Sequence, residues 1–219
     1  MKIGIINASS QKSKNKILEK CVKEAAGEQH EVINFGIYED GRTDFSYIQA
    51  AVCVGLLLES KSVDFVVTGC SSGQGMMLAC NTLPGVLCGY VENVSDAYLF
   101  GRINDGNAVS YPLGLNWGWG AQINLTETLK ALFSTPMGIG YPKEEAGRKM
   151  RDTALLKEMN RFGKVDFSEF LKKLTEREEE MAREAILYPP VYEYVMGHGC
   201  GRIREELGTF KTYQSGVIE

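Results

Sequence analysis

One short stretch of the 219-residue chain gathers groups that can do chemistry: Gly69-Cys70-Ser71-Ser72-Gly73-Gln74-Gly75. It follows the continuously apolar run Val63 to Val67 and precedes small residues at helical spacing, so the pattern reads strand, loop, helix start. A thiol at such a place can serve as base or nucleophile, since the thiolate is the reactive form of cysteine. Gly73 and Gly75 let the backbone approach a ligand closely, and amides at a helix start turn free N–H groups toward negative charge. Ordinary packing of a small hydrophobe is the alternative role for Cys70. The loop is no Walker loop, because no Gly-Lys-Ser/Thr follows. Nor does the first strand end in a dinucleotide fingerprint, since it runs into Asn7-Ala8-Ser9-Ser10-Gln11.

The elements that must position this loop are legible as alternating apolar runs and helical stretches. Strands are expected at Ile3–Ile6, Glu31–Phe35, Val63–Val67, Gly85–Tyr90 and Ala108–Tyr111. Helices are expected at Lys14–Ala26, Phe45–Leu58, from Gly75, at Val94–Arg102 and at Gln122–Phe133. Five such units predict an α/β, doubly wound (Rossmann-like) five-stranded parallel sheet, whose ligand sites lie beyond the carboxyl ends of the strands. After Pro136 the character changes. Gly138, Gly140 and Pro142 mark a linker, and Lys143–Met159 and Ser168–Leu187 read as helices, the second ended by Pro189-Pro190. The expected division is an α/β domain over 1–140 and a mainly helical C-terminal extension over 141–219, whose tail carries Gly197-His198-Gly199-Cys200-Gly201-Arg202.

Composition narrows the functional classes. With 44% hydrophobic and 24% charged residues the chain is that of a globular protein, and it has no apolar run of membrane-spanning length. Met1 to Ile6 enters a strand directly, without a signal-peptide pattern, so a cytoplasmic location is expected. A net charge of −4 argues against nonspecific nucleic-acid binding. Cys21, Cys53, Cys70, Cys80, Cys88 and Cys200 form no CxxC pair, which fits neither a zinc site nor a disulfide framework.

The Cys70 loop, with Met76, Ala79, Asn81 and Pro84-Gly85 behind it, resembles the ribose-5-phosphate isomerase type B and galactose-6-phosphate isomerase family, where a Cys-Gly-Thr-Gly-x-Gly-Met loop precedes a small-residue helix. Asn104-Asp105-Gly106-Asn107 is similar to that family's His-Asn-Asp-x-Asn block. Phe35-Gly36-Ile37-Tyr38 with Asp44-Phe45, and Gly147-Arg148-Lys149-Met150-Arg151, look like two further blocks. The resemblance implies an aldose–ketose isomerase of a sugar phosphate, ribose 5-phosphate by default, working through an enediolate without a cofactor or metal. It casts Cys70 as base, Ser72 as a ring-opening hydroxyl, and Asn104 as a group reaching the neighbouring subunit's site. Ser9, Asp44, Ser71, Gly73, Gln74 and Gly75 would bind substrate, with Arg148 and Arg151 as a phosphate clamp. A homodimer or tetramer with shared sites follows, with no nucleic-acid or membrane partner.

The sequence departs from that pattern. Ala8-Ser9 stands where the family has Asp-His, Ile103 replaces its second histidine, and Leu113 to Gly120 replaces an arginine-bearing segment. The glycine-rich tail has two readings: it folds over the site, with His198 and Arg202 supplying the missing imidazole and charge, or it is an ordinary surface loop. The rival expectation is a regulatory sugar-phosphate-binding protein that has lost turnover. A Cys-dependent acyl transfer would want a histidine oriented toward the thiol.

Overall fold

Alternation along the strands decides how the sheet is covered. The computed structural model describes residues 1–115 and 117–215; Asn116 of the Leu113–Gly120 stretch and the last four residues of the expected extension lie outside the described residues. β1 (Lys2–Asn7), β2 (Glu31–Asn34), β3 (Phe65–Cys70), β4 (Cys88–Tyr90) and β5 (Ala108–Pro112) form one all-parallel sheet in the order β2-β1-β3-β5-β4. Ile3 and Ile5 of β1, Val67 of β3 and Val109 of β5 share one apolar cluster with Leu18, Val22, Ala97, Leu125 and Leu129. Those partners come from α1 (Asn15–Ala26), α4 (Val94–Leu99) and α5 (Ala121–Phe133). The alternate residues Ile6, Val66 and Ala108 join the opposite cluster, with α2 (Tyr47–Glu59) and α3 (Gln74–Thr82). The doubly wound α/β architecture is as expected.

The second cluster continues into the C-terminal helices. α2 is buried from Gln49 to Leu57, because the sheet covers one side and the extension the other. α7 (Phe167–Arg177) seats Phe167 so close to Gly55 that a Cβ there would lie 2.9 Å from the ring. α8 (Glu179–Ile186) meets the same helix, where Cys53 Sγ donates to Ala185 O at 3.4 Å and Gln49 Nε2 to Glu184 at 2.8 Å. α9 (Pro189–His198) and α10 (Gly201–Ser215) complete the cover with Val191, Val195, Ile203 and Leu207. α6 (Ala146–Phe162) behaves differently: only Thr153 is buried, and Leu155, Met159 and Phe162 lie exposed.

Four local expectations are corrected. The single helix over Ser168–Leu187 is two, broken at Glu178, whose backbone (φ −140°, ψ 66°) leaves the helical region and lets α8 turn onto α2. Pro189-Pro190 opens α9 rather than closing its predecessor, since proline in the first turn forfeits no helical hydrogen bond. The glycine-rich tail is helical on both sides of Gly199, because Val195, Ile203 and Leu207 bury against the core. The helix from Val94 also ends early, passing at Phe100 into a π-helical turn that runs to Asn104.

Candidate active site

The parallel register brings three loops to one crest. Asn7 stands opposite Gly69, and Cys70 opposite Pro112, so the segments leaving β1, β3 and β5 emerge side by side. Backbone hydrogen bonds lace them: Ala8 N donates to Gly69 O at 3.0 Å, Leu113 N to Cys70 O at 2.9 Å, and Leu115 N to Ser71 O at 2.8 Å. Cys70 ends β3 with 7% of its surface exposed. Gly73, at φ +73°, is the residue before α3, and a Cβ there would meet Pro112 N at 2.9 Å and the Tyr90 ring at 3.0 Å. Ser110 Oγ donates to Gly73 O at 2.6 Å and fixes the turn. No side chain caps α3, so its first amides face the same crest as the thiol. Ser71, Ser72 and Gln74 are exposed around them, and the Tyr47 ring lies over Gly75.

Ser9 and Asp44 also reach the crest, in different capacities. Ser9 Oγ accepts from Phe45 N at 2.6 Å and donates to Thr43 O at 3.4 Å, so its hydroxyl secures the Asp44 segment instead of facing a ligand. Asp44 is exposed on the wall of a cleft of about 1050 Å³ between Arg42–Phe45 and α8. Ser10 and Gln11, which motif reasoning missed, complete the wall. Gln11 Nε2 donates to Ser71 Oγ at 2.9 Å, and Ser71 Oγ lies 3.3 Å from Ser10 Oγ. Their one signal in the sequence is position: they follow the strand that pairs with β3. Behind the crest, Tyr90 donates to Glu92 at 3.1 Å, and burial together with that carboxylate pushes the phenol up to about 12.

The remaining expected residues lie at the opposite end of the sheet. β3 rises about 3.3 Å per residue, so its amino end is roughly 17 Å from Cys70. Asn104 is exposed in the turn before β5, beside Asp105, which pairs with Lys157. Arg148 is engaged by Glu145 and Asp152 on the exposed side of α6, and Arg151 follows on the same helix. The expectation that the tail folds over Cys70 is corrected. Cys200 N donates to Ser60 O at 2.7 Å, which anchors the tail just before β3 begins. His198 stacks on Tyr194 with its Nδ1 3.1 Å from that residue's carbonyl, and Arg202 pairs with Glu59 and Asp166. His30 is also at this end, 3.3 Å from the N-terminal amine. Asn107 and Asn81 are structural ties, bonded to the backbone of Gly85, Leu87 and Cys88. Among the described residues no cluster of histidine, cysteine and carboxylate side chains is suited to a metal ion.

Cys70 and the uncapped start of α3 stand together at the carboxyl crest of a parallel sheet, where α/β folds of this class carry their ligand sites. Residues 3–149 match the ribose/galactose isomerase family, and the chain belongs to that family of sugar-phosphate isomerases. A solved 4-deoxy-L-threo-5-hexosulose-uronate ketol-isomerase, complexed with a tartrate, is 37% identical over 97% of this chain and 98% of its own, with a TM-score of 0.87. A ribose-5-phosphate isomerase from Vibrio parahaemolyticus is 33% identical over 95% and 98%, with a TM-score of 0.88. The type B ribose 5-phosphate isomerase of Trypanosoma brucei, 22% identical with a TM-score of 0.60, covers 72% of this chain and shares the fold. No curated protein sequence matches the chain. The first two extend through the C-terminal helices, and no described helix is long and apolar enough to cross a membrane.

Proposed function

We propose that the protein interconverts an aldose and a ketose through an enediolate, with the Cys70 thiolate as the base. The observation that carries this reading is the placement of Cys70 beside the uncapped amides of α3, on a turn that only glycine at position 73 can make. The thiolate takes the proton from the carbon next to the carbonyl. The carbonyl oxygen becomes an oxyanion facing the Gln74 and Gly75 amides, the hydroxyl proton passes between the two oxygens, and Cys70 returns its proton to the neighbouring carbon. No electron leaves the substrate, so the step balances without a co-reactant. Ser72 and Ser71 offer hydroxyls to the sugar, and Asp44 offers an acceptor.

Ribose 5-phosphate, giving ribulose 5-phosphate, is the first substrate to test. A six-carbon ketouronate is the second, favoured by the 37% identity to the uronate ketol-isomerase over 97% of this chain. A homodimer with shared sites is part of the reading. It is supported by the exposure of Asn104 away from its own Cys70, and by the unpaired apolar side chains Leu155, Met159 and Phe162 on α6 and Leu78 on α3. Solvent-deuterium incorporation at C1 or C2, followed by NMR over a panel of sugar phosphates and ketouronates, tests the chemistry. Exchange into one member supports it. Binding without exchange anywhere in the panel favours a regulatory sugar-binding protein instead.

A further inference from the structure

Acid–base chemistry at this crest is incomplete in one specific way. Isomerising a cyclic aldose takes two separate operations: opening the ring, then moving a proton between carbons. Ring opening needs a base at the anomeric hydroxyl and a proton donor at the ring oxygen. Among the described residues the crest carries Cys70, the hydroxyls of Ser10, Ser71 and Ser72, the carboxamides of Gln11 and Gln74, the Asp44 carboxylate and, over Gly75, the Tyr47 phenol. Histidine is the side chain whose ordinary titration lets it both give and take protons near neutral pH. The chain has only two. His30 is tied to the N-terminus against Phe133, and His198 is stacked on Tyr194. Both sit at the amino end of the sheet. The Asn104 turn, the segment the dimer reading offers to a neighbouring site, carries Ile103 beside it and no proton donor of this kind.

In place of an imidazole the crest holds a neutral hydrogen-bonded wall. Gln11 Nε2 is committed to Ser71 Oγ, whose own carbonyl accepts from Gly114 and Leu115. A Cβ at Gly114 would lie 3.0 Å from Gln11 Nε2, so the carboxamide is held close against the third loop. Such a wall orients hydroxyl and carbonyl oxygens by hydrogen bonds, and a carboxamide cannot release a proton to a ring oxygen. Of the phenols near this end, Tyr47 lays its ring over Gly75, Tyr111 is buried in β5, and Tyr90 donates to Glu92 from behind Gly73. An ordinary phenol, unlike an imidazole, does not exchange protons readily near neutral pH.

We infer that the site takes its sugar in the open-chain form and contributes nothing to ring opening, so that its substrates are sugars that stay acyclic or open by themselves. This rests on the isomerase reading above and narrows it. Ribulose 5-phosphate and erythrose 4-phosphate cannot close a five- or six-membered ring, because the oxygen that would close it carries the phosphate. Ribose 5-phosphate closes through its 4-hydroxyl.

The test compares them as the concentration of the full-length protein is raised. Deuterium exchange into ribulose 5-phosphate or erythrose 4-phosphate should rise in proportion to protein. Conversion of ribose 5-phosphate should level off at the spontaneous rate of ring opening, measured separately by trapping the free aldehyde. Proportional conversion of ribose 5-phosphate, about 100-fold or more beyond that plateau, is what an acid–base pair acting on the ring would give, and it overturns the inference while leaving the isomerase reading intact. If exchange is confined to another aldose of the panel, that sugar's plateau decides in the same way. Absence of exchange into every acyclic and cyclic sugar removes the isomerase reading and this inference with it.

Discussion

The two ends of the sheet are built from opposite materials. At the carboxyl crest, three loops are held together by backbone hydrogen bonds and neutral side chains, and Ser71, Ser72 and Gln74 remain open to solvent. At the amino end, charged side chains clamp the extension. Glu59, whose side chain is 7% exposed, accepts from Arg161 at 3.2 Å and Arg202 at 2.9 Å. Lys164 Nζ donates to the carbonyls of Asn81 and Leu83 at 2.7 Å each, and Asn160 bonds Gly85 and Val86. Under the proposed function the reaction takes place among backbone dipoles that stay aligned while charge develops, at the far end of the sheet from this clamp. An error at the crest should therefore cost turnover, and one at the clamp should cost stability.

The largest separation of the two ends is expected from Cys70→Ala. Removing the base should lower kcat by about three orders of magnitude or more, while a bound sugar still raises the melting temperature. A variant that turns over within a few-fold of the parent would remove Cys70 from the chemistry. Gly73→Ala comes next and affects both properties. Its φ of +73° disfavours a side chain, and the new Cβ would press on the Pro112 backbone and the Tyr90 ring. A loss of about 2–3 kcal/mol in stability, with at least a tenfold loss of kcat, is expected from strain and misplacement of the cradle. Gly197→Ala is the control: nothing lies within 4 Å of the new methyl, and α9 should gain about 0.5–1 kcal/mol. Urea titration and steady-state rates on the same preparations decide both.

Much of the crest was legible because its signals are local. The run from Val63, the glycines at 69, 73 and 75 and the lone thiol between them give strand, turn and reactive group without tertiary knowledge. The clamp was not, because its partners are far apart in sequence. Glu59 and Arg202 are separated by 143 residues, and the glycine-rich cluster that holds Arg202 gives no hint of its partner. The tail histidine was drawn to the wrong end by its glycines, which suggest a loop. Burial of Val195 and Ile203 overrides that preference and makes helices on either side of Gly199. One signal did point to the covering extension: α2 is apolar all round, and such a helix must be packed on two sides. The break at Glu178 stayed hidden, because Leu171, Leu174, Ala182 and Ala185 continue a single helical period across it.

A smaller effect is expected at the clamp itself. Glu59→Ala removes a carboxylate that two guanidinium groups share. Breaking a fully buried pair costs about 3–5 kcal/mol, but Arg161 and Arg202 are 60% and 47% exposed and can turn to water. A loss of about 1–2 kcal/mol is the expected outcome, with kcat and KM unchanged. A fall in kcat equal to that of Gly73→Ala would mean that the two ends are mechanically coupled, and the contrast drawn between them would fail.

The smallest effect belongs to pH. The Asp166 carboxyl caps α7 by accepting from Ser168 N, and that bond, followed by Arg202, holds it below its ordinary value of 3.8. Because the native value is the lower one, the unfolded chain binds the proton first as pH falls. The contribution is therefore present above the ordinary value and is lost as pH drops through the native one. Glu19 behaves alike, held down by Lys23 and Asn34 from an ordinary 4.5. Melting temperature should thus decline as pH is lowered below about 4, and Asp166→Asn should flatten part of that decline without altering its onset at Glu19. Both groups lie away from Cys70, so the decline should leave the rate of exchange per folded molecule at pH 7 unchanged in the variant. A variant that melts like the parent across this range would show that Asp166 contributes no measurable stability to the clamp.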